Sequence, residues 1–554
     1  MSIIAIIQAD LEVTSLGTRS RLAEDLLGTP VLRRTVDRVL RAKKLDGVYV
    51  LCPASHRDRC SALLAGSKAI IRPFNAEPPA WAGLVRSARK WSLDSWRGGI
   101  GGTTYFDEFT DGRLLDAVAR EQGADAVLSV PAAAAVIDPD LTDRMIDHRS
   151  ATKEDSRLTF TQAPPGLSGL LLDIELLHEL AAKGIPIGWV FSYKPDTPQK
   201  DLIFQPCCLE LPPEIRYASG RLVADTDRSM TAVRALLDSY RDPDARTAGR
   251  WLIERERSHV DPWPREVEIE LTTDDPYPDA ILRPRGERTG RRGVIDVALV
   301  ESIARELAEV DDSLLVLGGF GDPLRHPQFS ELLRCIRSVG PGASTGRVFG
   351  LCVRTGAVDL TDAHINALIE NEVDILSVPL DAWTSELYAQ LQSPNDPSAA
   401  DLAAVCRNLE QLAEARRERG VPRPIVVPEL TKARKNVHEL DAFHDGWMRK
   451  VGAVCISGVS NYAGQLADHR VMSMSPPRRT ACRRLRSRCL VLSDGRVTMC
   501  DQDYRGAYTV GDLHRQTLGD IWRSESLQKL RHAHRAGRYT ENALCGTCDE
   551  WHRP

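Results

Sequence analysis

Five of the thirteen cysteines in this 554-residue chain crowd between Cys482 and Cys548, and no other feature so restricts what its part of the chain can fold into. That tail has few large apolar residues with which to build a core of its own. Gathered thiols form disulfides in an oxidising compartment and bind metal in a reducing one. The opening run from Ile3 to Ile7 is short, lacks a basic flank and ends at Asp10, so it reads as a buried first strand and not as a signal peptide. The apolar stretch from Ala126 to Ile137 is bounded by Asp125 and Asp138 and falls far short of the roughly 20 residues of a membrane span. The expected location is therefore cytoplasmic, with no membrane partner, and the cysteine cluster points to metal.

Twelve residues separate Cys482 from Gly495, and four separate Gly495 from Cys500. Asp494-Gly495 predicts a tight hairpin turn between strands at Leu490–Leu492 and Val497–Met499, which brings Cys482 and Cys500 near each other. The two-residue spacer lets Cys545 and Cys548 bind one centre from a single turn. Four converging thiolates suit a cubane iron–sulfur cluster or a structural Zn²⁺, and spacing alone leaves both open. Cys489 lies in the strand entering the hairpin and reads as a spare, buried thiol. The other eight (Cys52, Cys60, Cys207, Cys208, Cys335, Cys352, Cys406 and Cys455) stand among apolar neighbours and read as small buried hydrophobes. Arg478, Arg479, Arg483, Arg484, Arg486 and Arg488 either offset the charge of a Cys₄ cluster or form a solvated basic loop. With 72 basic against 77 acidic residues and no aromatic interleaving, nucleic acid is not an expected partner.

The fold class is α/β. In residues 1–245, strands at Ile3–Ile7, Val48–Leu51 and Ala126–Val130 alternate with helices from Pro30 and near Leu141–His148, which predicts a largely parallel, doubly wound sheet. A polar stretch over 246–265 reads as a linker. Residues 266–470 repeat strand and helix from Val267–Thr273 onward, the pattern of a full or partial β/α barrel with function at the C-terminal strand ends. Residues 471–554 form the small Cys-rich piece, with an amphipathic helix expected around Leu518–His534.

Cys482, Gly495-Arg-Val-Thr-Met-Cys500, Val510-Gly511-Asp512-Leu513, Leu518-Gly519-Asp520-Ile521-Trp522 and Cys545-Gly-Thr-Cys548 resemble a SPASM domain, the C-terminal extension of radical SAM enzymes. The resemblance implies one [4Fe–4S] cluster on Cys482, Cys500, Cys545 and Cys548, in a shortened form of a pattern that elsewhere has seven cysteines. Ile269-Glu-Leu-Thr-Thr273, Leu317-Gly-Gly-Phe-Gly321-Asp322 and Val378-Pro-Leu-Asp381-Ala382 resemble radical SAM barrel segments. This implies S-adenosylmethionine as a candidate ligand at Gly318, Gly319, Gly321 and Asp322. The family's CxxxCxxC is missing: its positions fall on Asp275, Asp279 and Leu282, which cannot hold a cubane cluster. A divalent ion on Asp274, Asp275 and Asp279 is the minor reading, and an exposed acidic loop the major one.

Ile7-Gln8-Ala9-Asp10, Gly17-Thr18-Arg19, Gly28-Thr-Pro-Val-Leu32 and Val136-Ile-Asp138-Pro139 resemble GT-A nucleotidyltransferases. The expected phosphate-binding base is replaced by an acidic segment with Glu24 and Asp25, and the expected metal-binding Asp by Ala133. Arg19 and Arg21 then read as surface ion-pair partners. The loop Trp96-Arg97-Gly98-Gly99-Ile100-Gly101-Gly102 reads as a mobile surface loop or an anion nest. The three parts in this order resemble the spiro-SPASM family. Both enzyme signatures are degenerate, so the expectation is an iron–sulfur pseudoenzyme whose cluster serves structure, electron transfer or substrate docking. The rivals are a working enzyme that binds S-adenosylmethionine or a nucleotide-sugar through other residues, and a zinc-tailed scaffold. The partner is a small molecule, sugar, peptide or protein that the sequence does not specify.

Overall fold

A computed structural model describes residues 2–339 and 348–553, and the chain divides into two compact units, Met1–Ser258 and His259–Pro554. Among the described residues, no helix is long and apolar enough to cross a membrane.

The first unit is built on seven strands: β1 (Ile3–Gln8), β2 (Gly47–Pro53), β3 (Ile70–Phe74), β4 (Ala126–Pro131), β5 (Leu158–Thr161), β6 (Leu170–Asp173) and β7 (Cys208–Leu209). Their order is β3-β2-β1-β4-β6-β5-β7. The continuous apolar run of β1 is buried along both faces, as a central parallel strand requires. β3, β2, β1 and β4 are parallel, but β6 runs antiparallel to β4 and β5 antiparallel to β6, so the sheet is mixed where a largely parallel one was expected. The stretch expected to be a linker is in good part a helix, Ala245–Ser258. Ala245, Ala248, Gly249 and Leu252 are buried on one stripe, spaced as an amphipathic helix requires.

In the second unit, β8 (Glu266–Glu270), β9 (Leu314–Gly318), β10 (Gly350–Arg354), β11 (Ile375–Pro379), β12 (Ile425–Lys432) and β13 (Cys455–Gly458) lie side by side in chain order, all parallel. Helices including Val297–Ala308, Asp362–Glu370 and Leu402–Glu418 fill the connections. Val267, Ile269, Leu315, Leu317, Val353 and Leu376 enter the apolar core. The alternate residues face the other way, and there Arg354 lies 3.6 Å from both Glu268 and Glu429. The sheet is open at β13.

At the β8 edge the sheet continues into the Cys-rich tail. β14 (Arg488–Val491) pairs parallel with β8, and β15 (Arg496–Thr498) and β16 (Thr509–Asp512) follow antiparallel. The tail is thus not a separate body. Gly495, at φ +82°, makes the predicted hairpin turn, a left-handed conformation in which a Cβ is strained. Glu270 of β8 is fully buried and accepts from Arg292 at 2.8 and 2.7 Å and from the Ser493 N–H and hydroxyl at 3.1 and 2.9 Å. This ties the hairpin to the first strand. The long tail helix is broken into Leu518–Trp522 and Glu525–Arg535, because Ser524 caps the second piece at Leu527 N–H.

Candidate metal centre

Cys482, Cys500, Cys545 and Cys548 share one small core with Leu485, Met499 and Leu544. Cys482 precedes the short helix Arg484–Ser487, Cys500 follows β15, and Cys545 and Cys548 sit on and just past the helix Ala543–Thr547, which Asn542 caps at Cys545 N–H. The thiols lie close enough to disfavour one another's ionisation, Cys500 through Cys482 and Cys545, Cys545 through Cys482 and Cys548, and Cys548 through Cys482. Burial pushes all four thiols up, Cys545 to about 12 and Cys548 to about 11, so without metal they are neutral near pH 7.

Several features of the chain favour the opposite, thiolate state. Backbone N–H groups of Leu485 and Arg484 point to the Cys482 sulfur, that of Gln502 to Cys500, and Glu550 N–H donates to Cys548 Sγ at 3.3 Å. The buried Arg484 guanidinium, lowered by desolvation but raised overall by Asp501 and the Cys500 and Cys482 thiols, adds positive charge beside them. Arg479 donates to the Cys545 carbonyl at 2.7 Å and lies 4.3 Å over the Tyr539 ring. A soft thiolate-bound centre fits this donor set. Among the described residues, no three His, Cys, Asp or Glu side chains stand ready-made as a metal site, so the four thiols must close onto a centre when they ligate it.

Cys489 is placed apart. It is buried in β14 opposite Val267, belongs to the core of the central sheet, and burial pushes it to about 12. Of the six arginines near the cluster, Arg479 and Arg484 face the thiols while Arg488 pairs with Glu266 at 3.2 Å. Sequence reasoning missed Arg531, fully buried, which donates to the Leu485 and Trp522 carbonyls at 2.8 Å and stacks 4.1 Å over the Trp522 ring. It also missed His534, whose Nδ1 accepts from Cys482 N–H at 3.3 Å. Of the eight scattered cysteines, Cys52, Cys60, Cys207 and Cys352 are buried as expected, but Cys455 is exposed because β13 is the sheet edge.

At the C-terminal ends of β8 to β12 the segment without cysteines folds in three directions. Asp274 pairs with Arg325 at 3.1 Å, Asp275 is half-buried 3.4 Å from Arg285, and Asp279 accepts from Asn395 at 2.8 Å. They form no shared cation site, and Asp275 corrects the expectation of a wholly exposed acidic loop. Leu282 is buried in the core. Arg285 Nη1 donates to the carbonyls of Gly319 and Gly321 at 3.0 and 3.3 Å. A Cβ on Gly321 would lie 2.2 Å from Thr272 O, and one on Gly319 would lie 2.8 Å from the Glu270 Cα, so close packing on β8 and the loop after it already requires these glycines. Gly318 ends β9. Asp322 is buried, accepts from Thr355 and from Gly356 N–H, and is pushed up to about 6 by burial and by Asp275. A cavity of only about 30 Å³ remains among Asp275, Arg285, Asp322 and Asp381. The residues present do not fit a second cluster.

In the first unit, Arg19 is an exposed partner of Glu24, whereas Arg21 is buried and pairs with Asp227 at 2.7 Å, so it is not the surface residue expected. Ala133 is buried. The Gly-rich loop is pinned: Arg97 pairs with Asp201 at 2.6 Å, Gly99 N–H donates to Thr103 O, and a Cβ on Gly102 would lie 2.5 Å from Ser192 Cβ.

Residues 482–549 match the family model of SPASM, an iron-sulfur cluster-binding domain. An uncharacterized protein of Treponema pallidum (strain Nichols) is 26% identical over 261 residues, spanning 45% of this chain and 68% of that one. A solved structure of BtrN in complex with AdoMet and 2-DOIA covers 51% of this chain and 92% of its own at 16% identity and a TM-score of 0.35. A cytidylyltransferase from Leptospira borgpetersenii serovar Hardjo-bovis (strain JB197) covers 46% and 93% at 15% identity and a TM-score of 0.31.

Proposed function

We propose that the chain is an iron–sulfur protein in which Cys482, Cys500, Cys545 and Cys548 hold one [4Fe–4S] cluster with a structural task, and that the central sheet carries out no radical chemistry on S-adenosylmethionine. The observation that carries the first part is the shared core of those four thiols, reached by backbone N–H groups and by Arg484, within the segment that matches an iron-sulfur cluster-binding domain. When bound, the cluster supplies a rigid four-way cross-link with one-electron redox capacity.

The remaining work is done by the chain. Leu485, Met499 and Leu544 exclude water from the sulfurs, the N–H groups orient them, and Arg479 and Arg484 balance charge. Val491, Val497, Leu518, Ile521 and Trp522 already anchor most of the tail in the core of the central sheet, so the cross-link acts on the last piece, holding the short helix Ala543–Thr547 against the hairpin. The second part rests on Asp275, Asp279 and Leu282, which offer no sulfur, and on Arg285, which occupies the Gly319 and Gly321 carbonyls.

The test is anaerobic purification and reconstitution, with iron, sulfide and zinc measured per chain and the visible absorption recorded. Four irons and four sulfides per chain are expected, together with loss of the absorption in Cys482→Ala, Cys500→Ala, Cys545→Ala and Cys548→Ala. Zinc without iron or sulfide refutes the cluster. 5′-Deoxyadenosine formed above background under strong reductant refutes the second part.

A further inference from the structure

The first unit contains a cavity of about 880 Å³, within the size range of sites for small organic molecules. Gln8, Pro53, Phe74 and Pro131, at the C-terminal ends of β1 to β4, line it. Strand order reverses between β1 and β4, so the cavity lies over the topological switch point where open α/β sheets take their ligands.

The lining chemistry restricts the ligand. Three arginines border the cavity and each is engaged by the protein. Arg221 Nη2 lies 2.7 Å from Glu108 and also pairs with Asp225, Arg21 pairs with Asp227 at 2.7 Å, and Arg86 Nε donates to Ser15 O at 3.3 Å. Six carboxylates border it, but Glu108 is paired with Arg89 and Arg221, Asp225 with Arg221 and Asp111 with Arg113, which leaves Asp10 and Glu77 to make the exposed acidic rim. Asp107, buried, accepts from the Thr104 N–H and hydroxyl and from the Gly188 N–H, bonds that hold the wall in place. Half-buried Phe74, Trp81 and Phe109 supply aromatic surface, and the buried Ala133 offers no carboxylate for a bridging metal. Aromatic walls with an acidic rim attract organic cations, and the same rim repels polyphosphates.

We propose that this cavity is a binding site for a compact organic cation, an amine carried on an apolar body, and not for a nucleoside polyphosphate. The test is fluorescence titration of the full-length, cluster-loaded protein at low salt with dansylcadaverine (cationic) and dansylglycine (anionic), which share one fluorophore. Dansylcadaverine should bind at least tenfold more tightly, and CTP with Mg²⁺ should not displace it. Trp81→Ala should weaken it at least fivefold at an unchanged melting temperature. Glu77→Gln, at an exposed position that need not disturb folding, should narrow the preference for the cation at least threefold. Equal affinities, displacement by CTP with Mg²⁺, an unmoved preference in Glu77→Gln, or undiminished binding in a folded Ala133→Trp variant that fills the cavity would each overturn the proposal.

Discussion

Replacing Glu270 by Ala tests how the tail is joined to the central sheet. Glu270 is fully buried and is the bidentate partner of Arg292, whose side chain is 4% exposed. It also accepts from the Ser493 N–H and hydroxyl. Removing the carboxylate strands a buried guanidinium, which costs about 3–5 kcal/mol. A buried N–H left without its acceptor is destabilising by about 1–3 kcal/mol, but the two losses share one cavity and do not add. A net of about 4 kcal/mol is expected. With a urea slope of about 3 kcal/mol/M for a unit of this size, the midpoint should fall by about 1.3 M. The assay is urea unfolding of the loaded full chain, followed by circular dichroism and by the visible absorption of the cluster. Both signals should move together, since Ser493 belongs to the hairpin and Glu270 to β8. The double change Glu270→Leu with Arg292→Met should recover at least half the loss, because paired apolar groups leave no charge stranded. A single variant within 1 kcal/mol of the parent, or a double variant less stable than the single one, would refute the reasoning.

Gly321→Ala should destabilise by about 2–3 kcal/mol, because its Cβ meets two backbone oxygens, Thr272 O at 2.2 Å and Asp274 O at 2.7 Å. Gly318→Ala, whose nearest neighbours lie at 3.2 Å, should cost less than about 1 kcal/mol, and chemical denaturation distinguishes the two. Burial holds Asp322 at about 6, above its ordinary 3.8, so the folded form keeps a proton that the unfolded chain has released. The stability this contributes is full below about pH 4 and is lost as pH rises through 6, about 3 kcal/mol in all. Asp322→Asn should flatten that part of a plot of urea midpoint against pH. Cys489→Ala should leave the visible absorption intact while weakening the packing of β14 against β8 by about 1 kcal/mol, measured by denaturation.

The parts legible in the sequence were those that a short pattern determines. Asp494-Gly495 located the hairpin because a residue at φ +82° in a tight turn strongly favours Gly. The apolar runs of β1 and β4 announced buried strands, and the crowded Cys482, Cys500, Cys545 and Cys548 do share one small core. Other features depend on distant partners. Arg21 reads as a surface residue until Asp227 is placed beside it, and Arg531 looks like one more charge on a helix until it caps two carbonyls and covers Trp522. The polar composition of 246–265 suggested a linker, but Ala245, Ala248 and Leu252 stand at helical spacing and were outweighed by the arginines between them. Arg285 follows the loop that lacks cysteines, and nothing local shows that it reaches the Gly319 and Gly321 carbonyls.

The parallel pairing of β14 with β8 has a consequence for the order of events during synthesis. Ser493 and Glu270 are 223 residues apart in the chain. At about 5–20 residues per second, a ribosome needs roughly 11–45 seconds to travel from one to the other. Once β9 has been made, and until β14 follows, β8 has a neighbour on one side and an unsatisfied row of N–H and C=O groups on the other. Glu266, Glu268 and Glu270 put three carboxylates along a strand of five residues; Arg292 and Arg354 reach Glu270 and Glu268 earlier in the chain, and Glu266 keeps charge on the waiting edge until Arg488 is made. Charge on an unpaired strand opposes its capture by another chain. The acidic strand that anchors the finished tail thereby also guards the nascent one.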